Sequence, residues 1–223
     1  MLKAELLSYH RNGHQIFSDI SFAIEFGACM LVKGHNGSGK TTLLKLLAGF
    51  LPIQKGTVTI DGKKIVNNFD FIAQNVDYIG HLNAAKKQMT VLENLKLWNS
   101  ICEPDKRVNI ESEFSDPMDI NGFKNQPIAF CSAGQTRRVA LSRLATNNKK
   151  LWLLDEPTIS LDERAIENFC KMVETHCLKG GSAIIATHSE ISMQKISPKS
   201  IQIKKTSNKL ESSHLDPFLL GEW

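Results

Sequence analysis

Residues 34–41 read GHNGSGKT, an octapeptide that leaves few folds open to this chain. It satisfies the pattern G-x-x-x-x-G-K-[ST], and it lies between the apolar run CMLV and the helix-forming run LLKLLAGFL. Its glycines allow a sharp turn through which backbone N–H groups converge on phosphate oxygens at a helix N-terminus. The octapeptide therefore predicts a phosphate-binding loop, in which Lys40 reaches the β- and γ-phosphates of a nucleotide and Thr41 ligates Mg²⁺.

A second apolar run, LWLL at residues 151–154, ends in two adjacent acids, Asp155 and Glu156. A carboxylate at a strand end can hold hydrated Mg²⁺, and a neighbouring one can polarise the attacking water as a general base. Adjacent acids are also common in solvated turns. The phosphate-binding loop upstream favours the chemical interpretation, with Asp155 on the metal and Glu156 as the base.

The segment CSAGQ at residues 131–135 precedes a helical pattern. Small residues and a hydroxyl at a helix N-terminus form a surface that can bind an anion. By themselves they would indicate an ordinary helix cap. The acidic pair begins 20 residues after Gln135, and this proximity favours the anion-binding interpretation.

Apolar periodicity predicts an α/β fold in which short buried strands alternate with helices and belong to an open parallel sheet. The runs that carry this prediction are residues 29–32, 151–154 and 183–186. Nearer the N-terminus, the alternating segment 17–24 and the segment 57–60, which leads into Asp61-Gly62, predict antiparallel hairpins.

Helix-forming residues from about 90 to 130 predict a small inserted helical lobe. The segment after Pro198 is mostly polar and is interpreted as an appended tail. The domain boundaries are set somewhat later, with one domain at residues 1–205 and a tail of unknown role at residues 206–223.

These motifs and their order resemble those of ABC-transporter nucleotide-binding domains, over residues 1 to about 205. The resemblance implies an α/β P-loop NTPase of the ABC type, with a mixed-sheet core, an N-terminal antiparallel β subdomain and the helical lobe. In the family's pattern, Asp162 lies in the D-loop, and His188 is the switch histidine that contacts the γ-phosphate. The Q-loop position, nine residues before Thr90, holds His81 in place of glutamine.

The resemblance also implies ATP and Mg²⁺ as ligands, with Glu156 and His188 catalytic and with Thr41 and Asp155 on the metal. Arg11 aligns best with the family's adenine-stacking aromatic residue, with Tyr9 and His10 close by, and a guanidinium can stack on a base. The remaining ATP contacts implied by the motif are Gly34, His35, Asn36, Gly37, Ser38, Gly39, Lys40, Thr41 and Thr42.

A second copy of the chain is implied as well, because in this family each ATP lies between the Walker A motif of one subunit and the signature motif of the other. The signature residues, acting in trans, would be Ser132, Ala133, Gly134 and Gln135.

Composition restricts the partners. The net charge of +4 is spread along the chain, which does not indicate a nucleic-acid partner. The five cysteines form no C-x-x-C pair and suggest reduced cytosolic thiols. The most apolar stretch, residues 43–52, is broken by Lys45 and too short to span a bilayer, so a membrane role must come through a partner. The family resemblance implies integral membrane permease subunits as that partner.

The stretch YIGHLNAAKKQMTVLENL, the alanine in CSAGQ and the run RRVALSRL are similar to the ATP-binding subunits of haem exporters in cytochrome c maturation. This resemblance implies an ATPase that powers haem export or haem-chaperone release, peripheral to the cytoplasmic face of a bacterial inner membrane. Another small ABC exporter remains an alternative. A soluble ABC ATPase of DNA repair or translation would be expected to carry coiled-coil insertions or two cassettes, which this sequence lacks, and Glu156 and His188 argue against a non-enzymatic nucleotide-binding module.

Overall fold

The computed structural model describes residues 1–102 and 114–204. The strands are β1 Leu2–Arg11, β2 His14–Ile24, β3 Cys29–Lys33, β4 Lys55–Ile60, β5 Lys63–Lys64, β6 Val76–Ile79, β7 Leu151–Asp155, β8 Ser182–Ala186 and β9 Lys199–Gln202. The helices are α1 Lys40–Leu47, α2 Phe69–Asn75, α3 Val91–Cys102, α4 Ala133–Ser142 and α5 Glu163–Leu178, with 3₁₀ turns at Asn121–Phe123, Ile128–Phe130 and Arg143–Thr146. No helix in these ranges is long and apolar enough to cross a membrane.

An antiparallel sheet, in the order β2-β1-β4-β5, forms the N-terminal part of the fold. Burial alternates along residues 2–5 of β1 and residues 57–60 of β4, as a sheet with one face on a core requires. The turn between β4 and β5 holds Asp61 and Gly62 at φ values of 52° and 73°, the left-handed conformation that tight hairpins use. The predicted N-terminal antiparallel subdomain is confirmed.

A parallel sheet, in the order β6-β7-β8-β3-β9, forms the centre of the molecule. The three runs predicted as buried strands are its three interior strands. Every residue of β7 and β8 is buried, because helices or the antiparallel sheet cover both faces. The antiparallel sheet and α1 pack on one face, and α3, α4 and α5 pack on the other.

One interpretation from the sequence is wrong at the end of this sheet. Lys199–Gln202 does not belong to a tail, because it forms β9 and pairs in parallel with β3. The strand was not predicted because it lies at the edge of the sheet and most of its side chains are polar and exposed. The segment 206–223 lies outside the described residues, as does 103–113 within the predicted helical lobe, so both assignments stay predictions.

The carboxyl ends of parallel strands lie at one edge of their sheet, where such folds bind ligands. Here β3 leads into the phosphate-binding loop, β7 ends at Asp155 and Glu156, and β8 leads into Thr187 and His188. The order β7-β8-β3 brings these three segments side by side.

Candidate nucleotide-binding site

The phosphate-binding loop depends on glycine at two positions. Gly37 and Gly39 have φ values of 77° and 100°, in a region that side chains rarely adopt. A Cβ atom at Gly39 would also lie 2.6 Å from Cγ2 of Ile16. Helix α1 begins at the next residue, Lys40, so the free N–H groups of its first turn lie beside the loop.

Lys40 folds back over the loop, and its side chain is buried. Its ammonium group donates hydrogen bonds to the backbone oxygens of Gly34, at 2.8 Å, and His35, at 3.4 Å. Its Nζ atom also lies 3.6 Å from Oε1 of Glu156, across the edge of the sheet. The two residues predicted to act on the γ-phosphate therefore face each other.

Asp155 carries the feature that fits a metal ion. The Thr41 hydroxyl donates a hydrogen bond of 3.1 Å to Oδ1 of Asp155. The other oxygen, Oδ2, is buried and has no hydrogen bond within the described part of the chain, although His81 Nε2 lies 3.8 Å away. A buried carboxylate oxygen is costly unless something pairs with it, and carboxylate and hydroxyl oxygens suit Mg²⁺.

Tyr78, on β6, adds to the charge balance around Asp155. Burial first, and then the negative charge of Asp155, raise the pKa of Tyr78 to about 12. A phenol is already neutral at physiological pH, and the raised pKa strengthens this state, in which Tyr78 adds no second negative charge beside the carboxylate.

Glu156 is held between two cationic or potentially cationic groups. Nδ1 of His188 lies 3.0 Å from Oε2 of Glu156, opposite the oxygen that faces Lys40. The backbone of Glu156 is left-handed, with φ of 47°, which is a strained conformation for a residue with a side chain. A buried carboxylate so held has the position and the proton-accepting chemistry of a general base.

An open cavity of about 490 Å³ joins these groups, and ten of the predicted site residues line it: Arg11, Asn36, Gly37, Gly39, Lys40, Thr41, Thr42, His81, Glu156 and His188. Gly34 and His35 contribute the carbonyls that Lys40 contacts, and Ser38 is buried within the loop. Tyr9 does not line the cavity, because its ring is buried in the core beside Phe17.

Two residues that line the cavity were missed by sequence reasoning, Ile16 and Ile159. Apolar side chains have no functional group that would mark them in a sequence as ligand contacts. The signal that could have found Ile16 is its place five residues after Arg11, the predicted base contact.

The signature residues Ser132, Ala133, Gly134 and Gln135 are among the described residues that do not line this cavity. They begin α4, where the Ser132 hydroxyl accepts from the Gln135 N–H and the Gln135 side chain accepts from the Ser132 N–H. Ser132 and Ala133 are exposed. This reciprocal cap holds Ser132 at the exposed N-terminus of α4, outside the cavity of its own chain.

Asp162 also lies apart from the cavity, since its side chain caps α5 by accepting from the Ala165 N–H at 2.8 Å. The loop before it touches the signature segment: a Cβ atom on Gly134 would lie 2.7 Å from the backbone oxygen of Ser160. The signature segment is thus packed against the loop that leads to Asp162.

Comparison with known proteins agrees with this geometry. The family model described as ABC transporter matches residues 17–159. This chain therefore belongs to the ABC transporter family, as an ATP-binding subunit with ATPase activity. It is 37% identical over 194 residues to the cytochrome c biogenesis ATP-binding export protein CcmA of Mesorhizobium japonicum, which covers 86% of this chain and 94% of that protein.

Solved structures share the fold. A putative ABC transporter ATP-binding protein from Pyrococcus furiosus superposes with a TM-score of 0.77 at 23% identity, over 91% of this chain and 96% of that one. A dimeric ATP-binding cassette in a post-hydrolysis state, bound to ADP and Pi, gives a TM-score of 0.74 at 22% identity, over 85% and 88% of the two chains.

Proposed function

We propose that this chain hydrolyses Mg²⁺–ATP in the cavity at the edge of its parallel sheet and thereby powers export during cytochrome c biogenesis. The observation that carries the catalytic part is the position of Glu156, whose carboxylate lies between Lys40 and His188 beside the phosphate-binding loop. A base placed there can reach a water molecule that attacks the γ-phosphate.

Each predicted residue then has a role in hydrolysis. Backbone N–H groups of the loop hold the phosphates, and Lys40 leaves the loop carbonyls to contact the β- and γ-phosphates. Glu156 accepts the proton of the attacking water, and His188 orients Glu156 and contacts the γ-phosphate. Thr41 and Asp155 would hold Mg²⁺, which when bound neutralises charge on the β- and γ-phosphates. Arg11 would stack on the base.

The working unit is a dimer. Within one chain the cavity is open, and the capped N-terminus of α4 presents Ser132 and Gly134 outside it. A second copy would place these residues over the γ-phosphate bound to Lys40 of the first, with Asp162 near the junction. The dimeric state of the related cassette supports this arrangement.

The cargo and the partners follow from the similarity to CcmA. We assign the chain to a haem-export or haem-chaperone-release complex, attached to integral permease subunits at the cytoplasmic face of the inner membrane. Affinity purification of the tagged chain from membranes should recover cytochrome c maturation permeases, and adding them should stimulate ATP hydrolysis. Recovery of the permease of another transporter would contradict the assignment to haem and favour another small exporter.

His81 should connect hydrolysis to those partners. Its side chain is 55% exposed, yet Nε2 lies 3.8 Å from Asp155 Oδ2, so it can contact both a partner and the metal site. We expect His81→Gln to keep basal turnover within about threefold, because an amide can also hydrogen-bond metal-bound water. His81→Ala should lose most of the stimulation by permease subunits. Steady-state ATPase assays with and without the partners test this, and unchanged stimulation in His81→Ala would remove this role.

A further inference from the structure

An arginine of α4, the helix that begins with the signature residues and is called the signature helix below, contacts the edge of the parallel sheet that carries Glu156. Arg137 lies one turn into α4, is 4% exposed, and was not predicted from the sequence. Its guanidinium donates to five oxygens: Nε to Pro157 O at 3.0 Å, Nη2 to Asp155 O at 3.1 Å and Glu156 O at 2.9 Å, and Nη1 to Gly80 O at 2.8 Å and Asn83 Oδ1 at 3.1 Å.

Three of these bonds hold the backbone around the proposed base. Glu156 has a left-handed backbone, and such strain persists only where the surroundings determine the conformation. On one side, the N–H of Glu156 donates to Ala186 O at 2.8 Å, which ties it to β8. On the other side, its carbonyl accepts from Arg137. The direction in which the Glu156 carboxylate points therefore depends on this guanidinium.

The other two bonds hold the loop that carries His81. Gly80 and Asn83 lie on either side of His81, whose imidazole approaches the buried Asp155 carboxylate. One planar group thus joins the signature helix, the His81 loop and the backbone of residues 155–157. A planar fork with five donors can satisfy all of these acceptors together, whereas an ammonium group on a flexible stem cannot.

The charge of Arg137 is balanced where it lies. Burial lowers the pKa of Arg137, and the negative charges of Asp155 and Glu156 counter that effect. The guanidinium remains charged in the protein, and charged donors make the stronger hydrogen bonds.

We propose that Arg137 is a positioning residue for ATP hydrolysis, which fixes Glu156 and the His81 loop relative to the signature helix. The proposal rests on the role of Glu156 as the base. It adds a physical connection between the half-site that faces the second subunit and the base of the same chain: a shift of α4 on dimer closure moves the backbone of Glu156 through this side chain.

Arg137→Lys is the test, since it keeps the positive charge but replaces the planar guanidinium and its five donors with a single ammonium group. We expect kcat for ATP to fall by about 10- to 100-fold, because misplacement of a catalytic group by about 1 Å has effects of this size. KM for ATP should stay within about twofold, because none of the five hydrogen bonds that Arg137 donates goes to the phosphate-binding loop. The matched control is Arg138→Lys on the same helix, where Nε donates to Met118 O at 2.7 Å in the helical lobe. Equal losses of kcat in both variants, or a loss confined to KM, would overturn the proposal.

The double mutant Arg137→Lys/Glu156→Gln separates positioning from a general structural role. If Arg137 acts through the Glu156 carboxylate, the two effects on kcat will be far from multiplicative, and the double mutant will hydrolyse ATP nearly as fast as Glu156→Gln alone. Multiplicative losses would overturn the positioning role. Near-normal turnover in Glu156→Gln alone would instead contradict the proposed base, so the two failures are distinguishable.

A milder variant covers the case in which Arg137→Lys does not fold. Asn83→Leu keeps a side chain of similar size, removes one of the five acceptors of the Arg137 guanidinium and leaves the guanidinium in place. We expect a several-fold fall in kcat with unchanged KM, because the His81 loop loses its side-chain contact to Arg137. Wild-type kcat in Asn83→Leu would contradict the connection to this loop.

Discussion

ATP hydrolysis by Glu156→Gln is expected to fall by on the order of 10²-fold or more, the range for loss of a positioned base. The amide keeps the size of the side chain and removes the charge that can accept a proton. Binding of Mg²⁺–ATP should persist, because Lys40 and the loop are unchanged. Single-turnover hydrolysis and equilibrium nucleotide binding measure the two quantities separately. Glu163→Gln, an exposed residue at the start of α5, is the matched control and should hydrolyse ATP normally.

The same variant should accumulate as a dimer in Mg²⁺–ATP, since nucleotide that is not hydrolysed keeps holding two chains together. Gel filtration with light scattering measures this. Adding Ser132→Arg should dissociate the trapped dimer, because bulk and charge would enter the contact surface while the cavity of the same chain is left intact. Near-normal turnover in Glu156→Gln would exclude this residue as the base, and a persistent dimer in the double mutant would exclude residues 131–135 as the facing half-site.

Lys40→Ala should abolish tight ATP binding. The Lys40 ammonium group donates to two loop carbonyls, and each charge-assisted hydrogen bond that it would make to phosphate contributes about 1.5–3 kcal/mol. Loss of contacts to two phosphates should therefore weaken affinity by on the order of 10²-fold or more. Isothermal titration calorimetry with ATP measures it.

Lys45→Ala is the control for this variant. Lys45 lies on the same helix and is exposed, so its loss removes an equal charge from α1 without touching the cavity. It should bind ATP as the unchanged chain does. Wild-type affinity in Lys40→Ala would contradict the assignment of residues 34–41 as the phosphate-binding loop.

The sequence predicted the central strands of the parallel sheet because each is an apolar run that ends at chemically distinctive residues. Strand β6 was missed for a physical reason. Its second residue, Asp77, is buried and accepts hydrogen bonds from Arg143 and Asn147, so a charged side chain interrupts an otherwise apolar strand. The residues that pair with Asp77 lie 66 and 70 residues away, so the local sequence pattern gives no sign that this charge can be buried.

The same limit applies to the candidate site. Glycine spacing, adjacent acids and a histidine after a strand were visible, because these residue types are tied to their chemistry. Arg137 was not visible, because it stands next to Arg138 and both look like residues of a solvated helix face. Neighbouring positions on a helix point in different directions, and only the packing of α4 against β7 and the His81 loop decides which arginine is buried.

Strand β3, which leads directly into the phosphate-binding loop, has both of its neighbours far away in the sequence: Cys29 pairs with Ala183, and Met30 pairs with Lys199. During synthesis, the complete nucleotide-binding motif leaves the ribosome while the strands that must flank it are still unmade. Until β8 and β9 are made, apolar β3 has no strand to pair with, and contacts of such high sequence separation form slowly. We therefore expect capture of ATP only late in synthesis, and chains released before residue 202 lack a complete β9, one of the two strands that pair with β3.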